Sequence, residues 1–226
     1  MVGRREQLLE LLREPEVVDE ELRREILEAL LGPPRPRRMT YEEFLTWADE
    51  DTLAEWVEGE VEMYSPASLS HQRIVIFLTQ IMSAYVESQG LGLVIMAPFQ
   101  MKLAGSGREP DLMFVATEHL DRLRETYMDG PADLVVEVTS PESIGRDRGE
   151  KFYEYARAGI PEYWLIDPEA ERAEFYVLDH RGRYQIILPD AEGIYRSRAI
   201  EGFWLREDWL WKPPRVLDVL RELGVL

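Results

Sequence analysis

The 226-residue chain has no cysteine, which excludes disulfides and thiolate metal sites. Lysine is scarce: Lys102, Lys151 and Lys212 are the only ones, and arginine supplies the remaining positive charge. No apolar run approaches the roughly 20 residues needed to cross a membrane. The charged start, with Arg4, Arg5 and Glu6, runs into an amphipathic pattern and lacks the apolar core of a signal peptide. These absences give a soluble, cytoplasmic protein as the expectation. Positive charge is also short, with 26 Lys and Arg against 44 Asp and Glu and a net charge of −18. That argues against a broad basic surface for nucleic acid, because phosphate neutralisation needs many cations, but it leaves room for a local basic patch.

Hydrophobic residues make up 45% of the chain, enough for a sizeable core in one α/β domain with an appendage or in two small domains. Residues 1–31 carry leucines near a 3.6-residue period (Leu8, Leu12, Leu22, Ile26 and Leu30 among them), with Pro15 splitting the helix. Gly32 to Arg38 reads as a Pro/Arg linker. The expected division is a helical extension and linker over 1–38 and one domain over 39–226. Thr40 and Glu43 form a capping box for a helix to about Asp49, and Glu55 to Tyr64 reads as a hairpin turning at Gly59. A long helix is predicted over Ser70–Ser88, with Ile74, Phe77, Leu78, Ile81, Met82 and Tyr85 as its buried stripe. Strands are predicted over 93–96, 99–103, 111–115 and 134–138, with Gly105-Ser106-Gly107 as a turn. A helix over Arg146–Ala158 and a strand over Tyr163–Ile166 complete a right-handed βαβ unit after the 134–138 strand. A hairpin (174–178 and 184–188), a strand near Tyr195–Ile200 and a helix over 215–223 follow. The class is α/β or α+β.

Two carboxylates stand where strands do not need them. Asp111 opens the run Leu112 to Val115, and Glu137 interrupts Leu134-Val135-Val136 and Val138. A charge in a buried strand is costly without a partner, and two on neighbouring strands make a candidate metal site. Each has a plainer reading. Asp111 suits a turn after Pro110, and Glu137 could pair with a core arginine.

Several ordered motifs resemble the Uma-type family of putative restriction endonucleases, in the PD-(D/E)XK nuclease superfamily. They are Met39 to Phe44, Gly59-Glu60-Val61, Ser65-Pro66 before His71, Glu109-Pro110-Asp111, Val136 to Ser143, Lys151 with Tyr155, and Glu162 to Pro168. The resemblance implies a restriction-endonuclease-like mixed sheet flanked by helices, with a core of helix, three antiparallel strands, helix and strand. It implies Asp111, Glu137 and the Val138 carbonyl as ligands of Mg²⁺, or of Mn²⁺, and DNA as substrate. A homo-oligomer, in the simplest case a dimer, would cut both strands. The superfamily lysine normally lies two residues after the glutamate, where this chain has Thr139. The resemblance moves that role to Lys151. The competing reading of Lys151 is an i,i+4 surface pair with Asp147. Arg108, Arg146 and Arg148 are the expected phosphate contacts, with Arg157 a further candidate and solvated loop charges as the alternative. Glu55, Glu58 and Glu60 are candidate extra acids. His71 and Gln72 begin the long helix, where the superfamily resemblance allows an added site residue, with a simple surface histidine as the favoured reading of His71. Thr139 and Ser140 are either supporting hydrogen-bond partners or strand-end residues.

Overall fold

The computed structural model describes residues 38–48, 52, 54–63, 67–140 and 143–226. The expected N-terminal helices and nearly all of the linker lie outside the described residues. Helix α1 (Tyr41–Trp47) opens with the predicted reciprocal cap, in which Glu43 N–H donates to Thr40 Oγ1 and Thr40 N–H to Glu43 Oε2. Strands β1 (Ala54–Val57) and β2 (Glu60–Met63) pair antiparallel. Glu58 and Gly59 both take positive φ at the turn, which matches the twist of a tight hairpin.

Helix α2 (Leu69–Gln89) starts at the Ser68 cap and ends at Gly90 in the left-handed conformation. The predicted stripe from Ile74 to Tyr85 is buried in full. The chain then forms β3 (Gly92–Met96), β4 (Gln100–Lys102), β5 (Ser106–Arg108), β6 (Leu112–Ala116), β7 (Tyr127–Asp129) and β8 (Leu134–Val138). The expected Gly105–Gly107 turn is corrected: Ser106 and Gly107 already belong to β5, where Gly107 pairs with Trp56 and Lys102. A side chain at Gly107 would strike Tyr41, so glycine lets α1 lie directly on this strand. Strand β7 was not foreseen, because three residues carry no alternation to read.

The single helix predicted over 146–158 is also corrected. It is two helices, α3 (Ile144–Arg148) and α4 (Glu150–Ala158), broken at Gly149. Then come β9 (Glu162–Asp167), β10 (Arg172–Leu178), β11 (Tyr184–Ile187), β12 (Ile194–Arg196), β13 (Trp204–Arg206) and α5 (Val216–Glu222).

The main sheet has the order β11-β10-β9-β8-β6-β3, and β8–β9 is its one parallel pair. It is buried on both faces. Even-numbered residues Leu112, Phe114, Val136, Trp164 and Ile166 pack with α2 and the tail aromatics. Odd-numbered Met113, Val115, Val135, Tyr163 and Leu165 pack with Tyr155 of α4. A smaller sheet, β2-β1-β5-β4-β7, carries its own cluster around Phe44. The chain passes between the sheets at Glu109-Pro110-Asp111. The tail is tied to the main sheet by the fully buried Glu162, whose carboxylate accepts from Trp164, Tyr195 and Ser197 side chains and from the Arg198 and Ala199 amides. Among the described residues no helix is long and apolar enough to cross a membrane.

Candidate functional site

Strand pairing brings the two carboxylates together. β6 and β8 run antiparallel with Leu112 opposite Val136, so one step further Asp111 stands opposite Glu137. Both project on the odd-numbered face. Asp111 Oδ2 accepts the Val138 amide at 2.7 Å, which ties the end of β6 to β8. The metal-ligand residues implied by the motifs, Asp111, Glu137 and Val138, therefore sit on one strand junction.

Lys151 arrives from the first turn of α4 and is 6% exposed, so the competing reading of a surface pair does not hold. Its ammonium lies 3.0 Å from Glu137 Oε1, 3.0 Å from Glu55 Oε1 and 3.5 Å from Asp147 Oδ1. The ammonium donates to Glu137 Oε1, and Glu55 and Asp147 stand beside it as ion-pair partners. The i,i+4 partner Asp147 is real, but it is 2% exposed and belongs to the cluster. Gly149, with φ −107° and ψ −92°, separates the helix that carries Asp147 from the helix that carries Lys151. Tyr155, one turn beyond Lys151, donates its hydroxyl to Glu137 Oε1 at 2.7 Å. The motif pairs it with Lys151, but its place on the apolar side of the helix gives its hydroxyl no role in the sequence.

Glu55 comes from β1 of the smaller sheet. Its Oε1 also accepts the Glu109 amide at 3.0 Å, and its Oε2 accepts from Arg108. Of the three candidate hairpin acids, Glu55 alone is buried, whereas Glu58 and Glu60 are exposed. Arg108 is 1% exposed, and its guanidinium is ringed by Glu55, Glu62, Glu150 and Glu154 at 2.8–3.7 Å. It thus reaches the site through Glu55. Arg146 pairs with Glu62 and Arg148 with Glu174, each at 3.3 Å. The surface reading of His71 is corrected as well: the imidazole is buried with Nε2 3.1 Å from Asp111 Oδ1. Ser140 and Ser143 exchange side-chain and amide hydrogen bonds at the start of α3, so Ser140 shapes the turn after β8.

Burial sets the electrostatics. It opposes charge on Lys151, but Glu137, Glu55 and Asp147 outweigh it and hold the ammonium well above its usual range. Burial likewise opposes ionisation of Glu55, yet Lys151 and Arg108 keep that carboxyl below its usual range. Burial pushes Glu137 up to about 8 against the pull of Lys151, and Asp147, Asp111 and Glu55 add to the rise. Asp147 is raised by burial too. Glu137, Glu55 and Asp147 share the one ammonium of Lys151, and Arg108 is divided between Glu55 and three further glutamates. The surplus falls on Glu137, which holds a proton near neutral pH unless another cation takes its place.

The fold and these motifs can be set beside known proteins. No curated protein matches the sequence. Among solved structures, a putative nuclease of the DUF820 group from Anabaena variabilis superimposes with a TM-score of 0.65 at 15% identity, over 77% of this chain and 98% of that one. The likeness extends the nuclease-type fold to this protein. The profile of the Uma2 family, described as putative restriction endonuclease, matches residues 41–208, which takes in α1, both sheets and every site residue described above. The chain belongs to the Uma2 family of putative restriction endonucleases.

Proposed function

We propose that this protein is a divalent-cation-dependent endonuclease that hydrolyses phosphodiester bonds in DNA. The observation that carries the reading is the buried junction of Asp111 and Glu137 with Lys151 3.0 Å from Glu137. Among the described residues no three His, Asp or Glu side chains are arranged to hold a metal by themselves. The donor set that fits is two carboxylates and a backbone carbonyl: Asp111, Glu137 and Val138. All are hard oxygen donors, which suits Mg²⁺ or Mn²⁺, and the surplus of buried negative charge favours a cation there. A divalent ion bound at this point supplies Lewis acidity and a more acidic coordinated water.

The remaining roles belong to the chain. Glu137 would hold the ion through its carboxylate. Lys151 stays protonated, so it acts as a fixed positive charge beside the developing phosphate charge and not as a base. Glu55 and Asp147 hold that ammonium in place. Arg146 and Arg148 lie at the edge of the site, where a phosphate would compete with Glu62 and Glu174 for them.

A second reading has its own support. The lysine of the usual motif is replaced by Thr139, and the Lys151 hydrogens are already faced by carboxylates. Both features suit a nuclease fold retained for binding or assembly. Supercoiled plasmid incubated with Mg²⁺ or Mn²⁺ separates the two readings. The wild type is expected to nick or linearise it, and Asp111→Asn and Glu137→Gln to do so at least roughly 100-fold more slowly. No cleavage by the wild type, or equal cleavage by both variants, rejects the nuclease.

A further inference from the structure

We propose that His71 is a positioning residue that, by gripping Asp111, sets how tightly the site holds its cation. The inference rests on the metal-dependent reading above. Asp111 lies between Pro110 and β6, outside the paired residues of the strand. Its carbonyl accepts the Ala97 amide at 3.2 Å, but that bond does not orient the carboxylate. Its two oxygens are held from two different elements instead: Oδ2 by the Val138 amide of β8 at 2.7 Å and Oδ1 by His71 Nε2 of α2 at 3.1 Å.

The tautomer follows from burial. His71 Nδ1 is buried with no hydrogen-bond partner among the described residues. A hydrogen there would be an unsatisfied buried donor, which costs more than an empty lone pair. Nε2 therefore carries the hydrogen and donates to Asp111. A single donor at Nε2 occupies only part of Oδ1, so the remaining lone pairs stay available to a cation.

The backbone that carries the ring is fixed at the start of the helix. Ser68 Oγ caps α2 by accepting the His71 amide at 3.2 Å. His71 also stands three, four and seven residues before Ile74, Val75 and Leu78, on the buried face of the helix. Through His71 the packed stripe of α2 reaches the site. Hydrogen bonds of this kind to a metal-binding carboxylate typically change affinity about 10–100-fold when removed.

The test compares full-length wild type, His71→Gln and His71→Leu by Mn²⁺ titration (electron paramagnetic resonance of the free ion) and by plasmid cleavage across Mn²⁺ concentrations. Glutamine offers an N–H donor close to where Nε2 sits, and leucine offers none. His71→Gln is expected to bind Mn²⁺ comparably to wild type. His71→Leu is expected to bind about 10–100-fold more weakly, with cleavage recovered at saturating Mn²⁺. A residue that merely supported the fold would not produce that recovery or the rescue by glutamine. Unchanged Mn²⁺ affinity in His71→Leu, or equal weakening in both variants, overturns the role while leaving the nuclease reading intact. A wild type that binds no Mn²⁺ overturns the metal-dependent reading and this role together.

Discussion

Glu137 concentrates the conflict in the site. A carboxyl whose folded pKa of about 8 lies above its ordinary 4.5 keeps a proton in the native state that the unfolded chain has already released. Between those values the native state binds more protons, so this group's contribution to stability falls as pH rises. Glutamine at this position would keep an oxygen for Lys151 and Tyr155 and carry no charge, and Lys151 would still face Glu55 and Asp147. In EDTA, Glu137→Gln is therefore expected to be more stable than wild type by roughly 1–3 kcal/mol at about pH 8.5, with the gain shrinking toward pH 5. Thermal melts at several pH values check this. A variant less stable than wild type at high pH would mean that Glu137 is ionised and that Lys151 depends on it. At this scale the sequence is informative where a residue breaks a pattern. Asp111 and Glu137 stood out because apolar strands have no use for them. Glu55 sat in a charged hairpin that hid it, and Asp147 and Lys151 could be explained by each other. Tyr155 fitted the apolar side of its helix so well that nothing pointed to its hydroxyl. Burial is what distinguishes these residues, and burial depends on contacts far apart in the chain.

The elements were legible in proportion to their length and periodicity. The 21-residue α2 was predicted within a residue at each end, because its stripe, Ser68 cap and Gly90 stop agree. The 5-residue β8 was read in full from its bounding turns. The break between α3 and α4 was missed because Gly149 sits inside a pattern that a continuous helix also satisfies. Its backbone (φ −107°, ψ −92°) is not helical, and a Cβ there would come within 2.7 Å of the Gly145 carbonyl oxygen. Gly149→Ala is expected to lower stability by about 1–3 kcal/mol, seen as a lower urea midpoint at unchanged slope, because the added methyl meets backbone that cannot yield cheaply. An unchanged midpoint would show that the break tolerates a side chain. The EYWLID stretch (162–167) was legible as a buried strand, but the role of Glu162 was not. Its partners Tyr195, Ser197, Arg198 and Ala199 lie more than 30 residues downstream.

At the scale of the whole molecule, a charge of −18 and a polyanionic substrate pull against each other. The arginines nearest the site do little to relieve this. Arg108 is enclosed by four glutamates, Arg146 is paired with Glu62 and Arg148 with Glu174. Any phosphate that reaches them must displace a carboxylate. The number of phosphates neutralised on binding should therefore be small. Since log K falls with log salt at about 0.9 per neutralised phosphate, duplex DNA binding in EDTA is expected to show a slope between about −1 and −3. Fluorescence anisotropy of a labelled duplex between about 50 and 200 mM salt measures it. Such a slope would assign metal-free binding to a few local contacts at the site arginines and not to a broad basic surface. A slope near −6 or steeper would overturn this and require a basic surface beyond the site arginines, with Arg35, Arg37 and Arg38 as the first residues to replace.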